Sequence, residues 1–235
     1  MKKLFLAILF LFSLAFIAEA CRPENPEKTA NVDGVCYGYD GGEWYVRGFE
    51  QDQDSVVLKH KVVINGEKVK VEEIYIQDYM NNTASPRILV IPKGFKAVAQ
   101  LYLPKLEKLY ISKTIIRTHD VCTSEYAAIY SEKLEAIIVD PKNKNLKSVD
   151  GILFSKDGTN LLKYPAKKAE KEYSIPDDVE SICYGAFSGC QLEIVYYPKQ
   201  KGGIENYEQY GLSDPYEEAV DKLGFELGKT KFIGR

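Results

Sequence analysis

Residues Leu146–Gly189 read LKSVDGILFSKDGTNLLKYPAKKAEKEYSIPDDVESICYGAFSG. The stretch divides into a hairpin, a short strand ending in proline, a tight turn and a compact glycine-flanked turn. Lys156-Asp157-Gly158-Thr159 supplies Asp-Gly chemistry for the hairpin tip. Pro176 ends the strand through Ile175, because proline cannot donate to a ladder. Weaker copies of this order lie upstream. A chain that repeats one small unit forms a stack, and a stack presents an extended binding surface.

Two patterns carry the repetition. The first, apolar-x-x-apolar-x-apolar, appears at Leu106–Ile111, Leu134–Val139 and Leu192–Tyr197, with shortened forms ending at Ile91-Pro92 and Ile175-Pro176. The second, Val-x-x-Ile or Leu, appears at Val71–Ile74, Val98–Leu101 and Val179–Ile182. Alternate side chains of a strand point to opposite faces. Leu106, Leu109 and Ile111 are therefore expected inside, as are Leu134, Ile137 and Val139. The residues between the last two inward positions point outward. They are Val90, Tyr110, Ile138, Ser174 and Tyr196, and in a stack they are expected to fall in a row. Such a row is more apolar than solubility requires, so these five form the candidate ligand-binding face. The competing reading is that a loop or the C-terminal tail covers it.

Upstream, residues 35–70 are strand-rich and read as an N-terminal β cap. Trp44–Phe49 alternates, and Asn65-Gly66 is a strong hairpin signal. Downstream, Ser213-Asp214-Pro215 followed by acidic residues reads as a helix start, with a helix to about Leu223 and a strand within Phe225–Ile233. Residues 201–235 are therefore expected to form a C-terminal helix/strand cap.

The N-terminus reads as an address. Lys2 and Lys3 precede an apolar run from Leu4 to Ile17, and Ala18-Glu19-Ala20 is a small-x-small cleavage site. Residues 1–20 are expected to be a signal peptide. Residues 21–34, with two prolines and charged side chains, are expected to be a flexible spacer. Cys21 stands where bacterial lipoproteins are acylated, although Ala18 and Glu19 depart from the usual lipobox. Lipidation of Cys21 and plain secretion both remain open. The five cysteines favour lipidation slightly, because removing Cys21 leaves an even number. The other four are scattered without a CxxC pair, which argues against zinc.

Reaction chemistry has few carriers here. There are only two histidines, His60 and His119, far apart in sequence. Asp177-Asp178 reads as a solvated turn, Asp157-Gly158 as hairpin chemistry, and Cys183 and Cys190 as repeat positions rather than a nucleophile. The lysines of 142–147 and 167–171 read as a solvated edge, with partner contact the lesser alternative. A formal net charge of −3 lacks the footprint of a nucleic-acid binder. Asn81-Asn82-Thr83 is a glycosylation sequon of little weight in a bacterial chain. No cofactor, metal or catalytic residue is expected.

These residues resemble the BspA-like class of leucine-rich repeat. The match lies in Ile175-Pro176-Asp177-Asp178-Val179-Glu180-Ser181-Ile182, then Gly185-Ala186-Phe187-Ser188-Gly189-Cys190. The segment 148–165 resembles the accessory hairpin of that class, and Ile64–Val71 resembles its capping unit. The motifs are specific between Leu134 and Pro198 and degenerate before that. No AF-x-G-C turn follows Ile74 or Leu101. The resemblance implies a mainly β chain with short helical turns, built as a right-handed leucine-rich-repeat solenoid over residues 71–200, with the hairpin 148–165 inserted. It also implies an exported, non-enzymatic bacterial protein at the cell surface or outer membrane. Its expected partner is an extracellular or cell-surface protein or glycan. The alternative role is a structural subunit of a cell-envelope assembly.

Overall fold

The computed structural model describes residues 26–77, 84–118, 129–198, 223–225 and 228–235. The regular elements among them are all strands. β1 (Lys28–Val32), β2 (Val35–Asp40) and β3 (Glu43–Phe49) form an antiparallel meander. Its first turn is Asp33-Gly34, with φ of 52° and 77°. That backbone matches the twist of a two-residue hairpin. The expected spacer 21–34 therefore has to be shortened, since Lys28–Val32 is a strand. Ala30 and Val32 pack against the core, and their burial holds it there.

From β3 onward the chain feeds two ladders in turn. β4 (Gln53–Val57) is followed by β5 (Lys61–Ile64) and β6 (Glu67–Ile76), then β7 (Pro86–Ile91), β8 (Ala97–Tyr102) and β9 (Lys108–Ile111). β10 (Arg117–Thr118), β11 (Ile129–Tyr130) and β12 (Ala136–Val139) follow. β3, β6 and β8 pair in parallel, and β10 and β11 both pair with β8. β4, β7, β9 and β12 pair in parallel in that order. Each pass of the chain thus leaves one strand on each ladder. The predicted cap 35–70 is not a separate antiparallel unit, because β3 is already a rung of the first ladder and β6 runs unbroken through position 70. The β5–β6 hairpin does form at Asn65-Gly66, both at positive φ.

Both ladders direct apolar side chains into one cluster. It contains Val46, Phe49, Ile74, Val98 and Leu101 from the first, and Val56, Leu89, Ile91, Leu109, Ile111 and Ile137 from the second. Leu106, Leu109, Ile111, Leu134, Ile137 and Val139 are all buried, as the alternation requires. Burying each contributes roughly 1.5–3 kcal/mol. No single pass could enclose such a face, so adjacency of passes is what holds the ladders together.

The sequence 146–163 is a three-stranded unit. β13 (Leu146–Val149) and β14 (Ile152–Ser155) are antiparallel, and β14 pairs with β15 (Asn160–Lys163). The additional turn is Asp150-Gly151, with φ of 49° and 79°. β15 then pairs in parallel with β17 (Ser181–Ile182), so this unit is itself a rung and not a mere insertion. β16 (Glu172–Ser174), β18 (Ile194–Tyr197) and β19 (Lys231–Gly234) form a separate parallel sheet. A second cluster, including Phe154, Tyr164, Ile175, Val179, Phe187, Val195 and Phe225, lies under these strands.

Two expectations change in the last segment. The expected short helical turns are absent among the described residues. Gly185–Cys190 instead makes successive i to i+3 turns, with Ala186, Ser188 and Cys190 N–H donating to Cys183, Gly185 and Phe187 O. Gly185 at φ 61° and Gly189 at φ 79° break the helical path. The helix expected from Ser213 lies outside the described residues, as do the signal peptide, Cys21, the sequon and His119.

Candidate ligand face

The outward side chains of β4, β7, β9 and β12 are fixed by the same alternation that buries their neighbours. Pairing aligns Val57 with Val90, Val90 with Tyr110, and Tyr110 with Ile138. These four make one continuous row across the ladder. Val57 is 61% exposed and Tyr110 38%, while Val90 and Ile138 are half-buried. A parallel row, Ser55, Ile88, Lys108 and Ala136, lies one step toward the strand starts. The face is therefore largely branched aliphatic with a single tyrosine.

Of the five predicted face residues, three are brought together here. Ser174 and Tyr196 pair with each other and, through Tyr196, with Ile233, on the β16–β18–β19 sheet. The expected single row is thus two rows. The break occurs at β12, where the chain turns into β13 and β14 instead of supplying the next rung. Ile137 N–H donates to Gly151 O at 2.9 Å, and Val139 N–H donates to Ser148 Oγ at 3.0 Å. The Asp150-Gly151 turn thereby satisfies the outer edge of β12. A Cβ at Gly151 would lie 3.1 Å from Ala136 Cβ, so glycine permits this approach. The second row is the more polar one: Tyr196 donates from its hydroxyl to Glu172 Oε2 at 3.1 Å, which pushes the phenol up from its ordinary range.

Sequence reasoning missed Val57 and Ile88. The signal for Val57 was available in Ser55-Val56-Val57-Leu58, whose alternation places Val57 opposite the buried Val56. Only pairing with β7 shows that it extends the row.

Past the strand ends the row opens into a groove of about 670 Å³. His60, Pro92, Lys93, Ser112, Asp140 and Pro141 line it together with Val90, Tyr110 and Ile138. The groove floor is held by turn-to-turn hydrogen bonds. Ser112 Oγ donates to Pro92 O at 3.0 Å, and Thr114 Oγ1 accepts from Gly94 N–H at 3.1 Å. Asn143 is 1% exposed; its Nδ2 donates to Ser112 O and Ile115 O, both at 2.9 Å, and its Oδ1 accepts from Asn145 and Leu146 N–H, both at 2.8 Å.

The two edges of the face differ in charge. At the strand starts, Arg87 donates to Glu107 from Nε and Nη2 at 2.9 and 3.0 Å and pairs with Asp54 at 2.7 Å. Lys105 pairs with Asp52 there as well. These bonds hold the Glu107 and Asp52 carboxyls below their usual range. At the strand ends, Lys93, Lys113, Lys142 and Lys144 are exposed, and none joins an ion pair among the described residues.

Other candidate groups have structural employment. Asp157 accepts from Ser155 Oγ first, then from Thr159 N–H and Oγ1, which holds its carboxyl at about 2. Asp177 pairs with Arg235 at 2.9 Å. Lys163, 2% exposed, donates from Nζ to Gly185 O and Ser188 O at 3.1 and 3.4 Å. Burial lowers its ammonium to about 8, against a smaller opposing effect of the Cys190 thiol. Burial also raises the Cys190 thiol, so it is a poor nucleophile. No disulfide joins the described cysteines Cys36, Cys183 and Cys190.

No family model matches the chain, and no curated protein matches it either. Similar solved structures are bacterial leucine-rich repeat and surface proteins. One is the pneumococcal vaccine antigen PcpA, 14% identical, TM-score 0.27, covering 74% of this chain and 65% of that one. Another is a leucine-rich cell surface protein of Faecalibacterium prausnitzii, 13% identical, TM-score 0.33, covering 75% and 72%. A third is a leucine-rich repeat protein of Eubacterium ventriosum, 16% identical, TM-score 0.34, covering 73% and 66%. The chain thus spans just under two thirds of the first and third.

Proposed function

We propose that this chain is a BspA-like leucine-rich-repeat protein that acts outside the cell as a non-enzymatic binding module. Its two alternately fed ladders are read as a right-handed solenoid, with the β1–β2 strands covering the first coil and the segment 201–235 covering the last. The N-terminal residues 1–20 direct export, and Cys21 carries a lipid that tethers the domain to the cell surface. The ligand is a protein or glycan, and the β4–β7–β9–β12 face receives it.

One observation carries the reading of the face. Val57, Val90, Tyr110 and Ile138 stand in register on four adjacent strands, with Val57 and Tyr110 exposed and Val90 and Ile138 half-buried. An aligned row of partly exposed apolar side chains favours a contact surface over a purely solvated one.

The test is an array of host matrix proteins, cell-surface proteins and glycans probed with the mature chain and with a Tyr110→Ala/Ile138→Ala variant. A ligand whose affinity falls at least about tenfold in the variant supports the reading, since truncating a central anchor costs about 1–2 kcal/mol or more. Unchanged affinity in a folded variant rejects it. Tyr196→Ala, assayed alongside, reports whether the second row takes part. Recovery of a stoichiometric bacterial envelope partner in place of any external ligand would instead mark the chain as an assembly subunit.

A further inference from the structure

We infer that the ligand face selects an extended polypeptide segment that is apolar where it crosses the row and acidic where it passes the strand ends. This rests on the proposed reading of the face and narrows its partner class.

The asymmetry of charge across the face carries the inference. At the strand starts carboxylates stand against the cations: Arg87 pairs with Glu107 and Asp54 and Lys105 with Asp52, while Lys108 joins no ion pair among the described residues. At the strand ends Lys59 pairs with Asp33, whereas Lys93, Lys113 and Lys142 join no ion pair among the described residues. Pairing of Ile91 with Ile111 puts Lys93 and Lys113 at equivalent positions, two residues beyond each. Pairing of Ile111 with Val139 puts Pro141 level with Lys113, and Lys142 follows. Lys156 joins them, donating from Nζ to Pro141 O at 3.1 Å. Asp140 is the carboxylate that lines the groove, and its Oδ1 already accepts from Lys142 N–H at 2.9 Å. The chain as a whole is at −3, so this cationic edge is not a by-product of overall basicity.

Size and chemistry narrow the occupant. Four strands at ~4.8 Å spacing put ~14 Å between Val57 and Ile138, the length of four or five extended residues. A segment crossing the strands can set alternate apolar side chains against Val90, Tyr110 and Ile138 and a carboxylate against Lys93 or Lys113. A sulfated glycan would match the lysines but not the aliphatic row, which offers a sugar ring only one aromatic platform.

The experiment pans a phage-displayed library of random dodecapeptides against the immobilised full chain, then titrates the enriched peptides. The expected result is enrichment of alternating apolar residues next to Asp or Glu. Binding should weaken about tenfold in Lys93→Gln/Lys113→Gln/Lys142→Gln, since exposed charge pairs act individually by modest amounts. It should fall with added salt in the native chain but hardly in that variant. Enriched peptides without acidic bias, or equal affinity for the lysine variant, overturn the inference. The face itself survives that outcome when Tyr110→Ala/Ile138→Ala still loses the peptides, and fails with it when that variant binds them unchanged. Heparin bound by the chain with no peptide enriched, or nothing bound at all, also overturns it.

Discussion

Asn143→Ala isolates the bond between the turns after β12 and β9 from the apolar packing beneath it. The side chain occupies a site in the turn after β12 and reaches back to the turn after β9. It makes four hydrogen bonds, two given and two accepted, all between 2.8 and 2.9 Å. The alanine variant leaves Ile115 O and Leu146 N–H buried without this partner, and Ser112 O and Asn145 N–H partly so. Orphaning a buried group costs roughly 1–3 kcal/mol and losing a partly wet bond roughly 0.5–1. The expected loss is about 4 kcal/mol, a large share of the roughly 5–15 kcal/mol that holds a domain folded. Asn143→Asp is a sharper probe. It keeps the acceptor but sets a carboxylate oxygen against two carbonyls, so the protonated form fits better than the charged one. Its folded carboxyl must lie above its unfolded one, so its stability should fall as pH rises from the unfolded value of about 4 toward the raised folded one. Urea unfolding by circular dichroism at pH 5 and pH 8 measures both effects. A loss below about 1 kcal/mol for the alanine variant would refute the reasoning. So would an aspartate variant whose stability relative to the native chain ignores pH.

Two further substitutions test packing and burial. Gly38→Ala should destabilise by about 1–3 kcal/mol, because a Cβ there would sit 2.6 Å from Cζ of Tyr45, which is 1% exposed and cannot swing outward; an unchanged melting temperature would count against it. Lys163→Met tests the buried ammonium. The folded value is about 8 against an ordinary 10.5, so the native chain should gain stability relative to the variant as pH rises from 8 to 10.5. The gain should approach about 3 kcal/mol, and a difference that stays flat between pH 7.5 and pH 10 would show that burial does not govern this group.

Alternation made the inward residues readable. Leu106, Leu109 and Ile111 had to share a side, and the structure buries all three. The same parity placed Val90, Tyr110 and Ile138 outward. It could not show that Ser174 and Tyr196 belong to another sheet, because parity fixes the face of a strand but not its neighbour. That depends on which backbone groups satisfy the edge of β12, and here a glycine turn does so. Asp33-Gly34 and Asp150-Gly151 carried the same Asp-Gly chemistry as the hairpin at Asp157-Gly158. Their turns were overlooked because the first sits in a polar segment and the second beside a clearer tip. The short helical turns that the resemblance implies do not form at Ala186-Phe187, where the positive φ of Gly185 prevents a helix. Lys93, Lys113 and Lys142 were visible as loop charges, but the pairing of Arg87 and Lys105 on the opposite edge needed the fold.

Hydrogen exchange of the chain with and without the ligand found by the array tests the central claim most directly. Binding should slow exchange in Gln53–Val57, Ile88–Ile91, Lys108–Ile111 and Ala136–Val139, while Glu43–Phe49 and Ala97–Tyr102 on the other ladder stay unchanged. Protection confined to that other ladder, or to the 146–163 unit, would contradict the account.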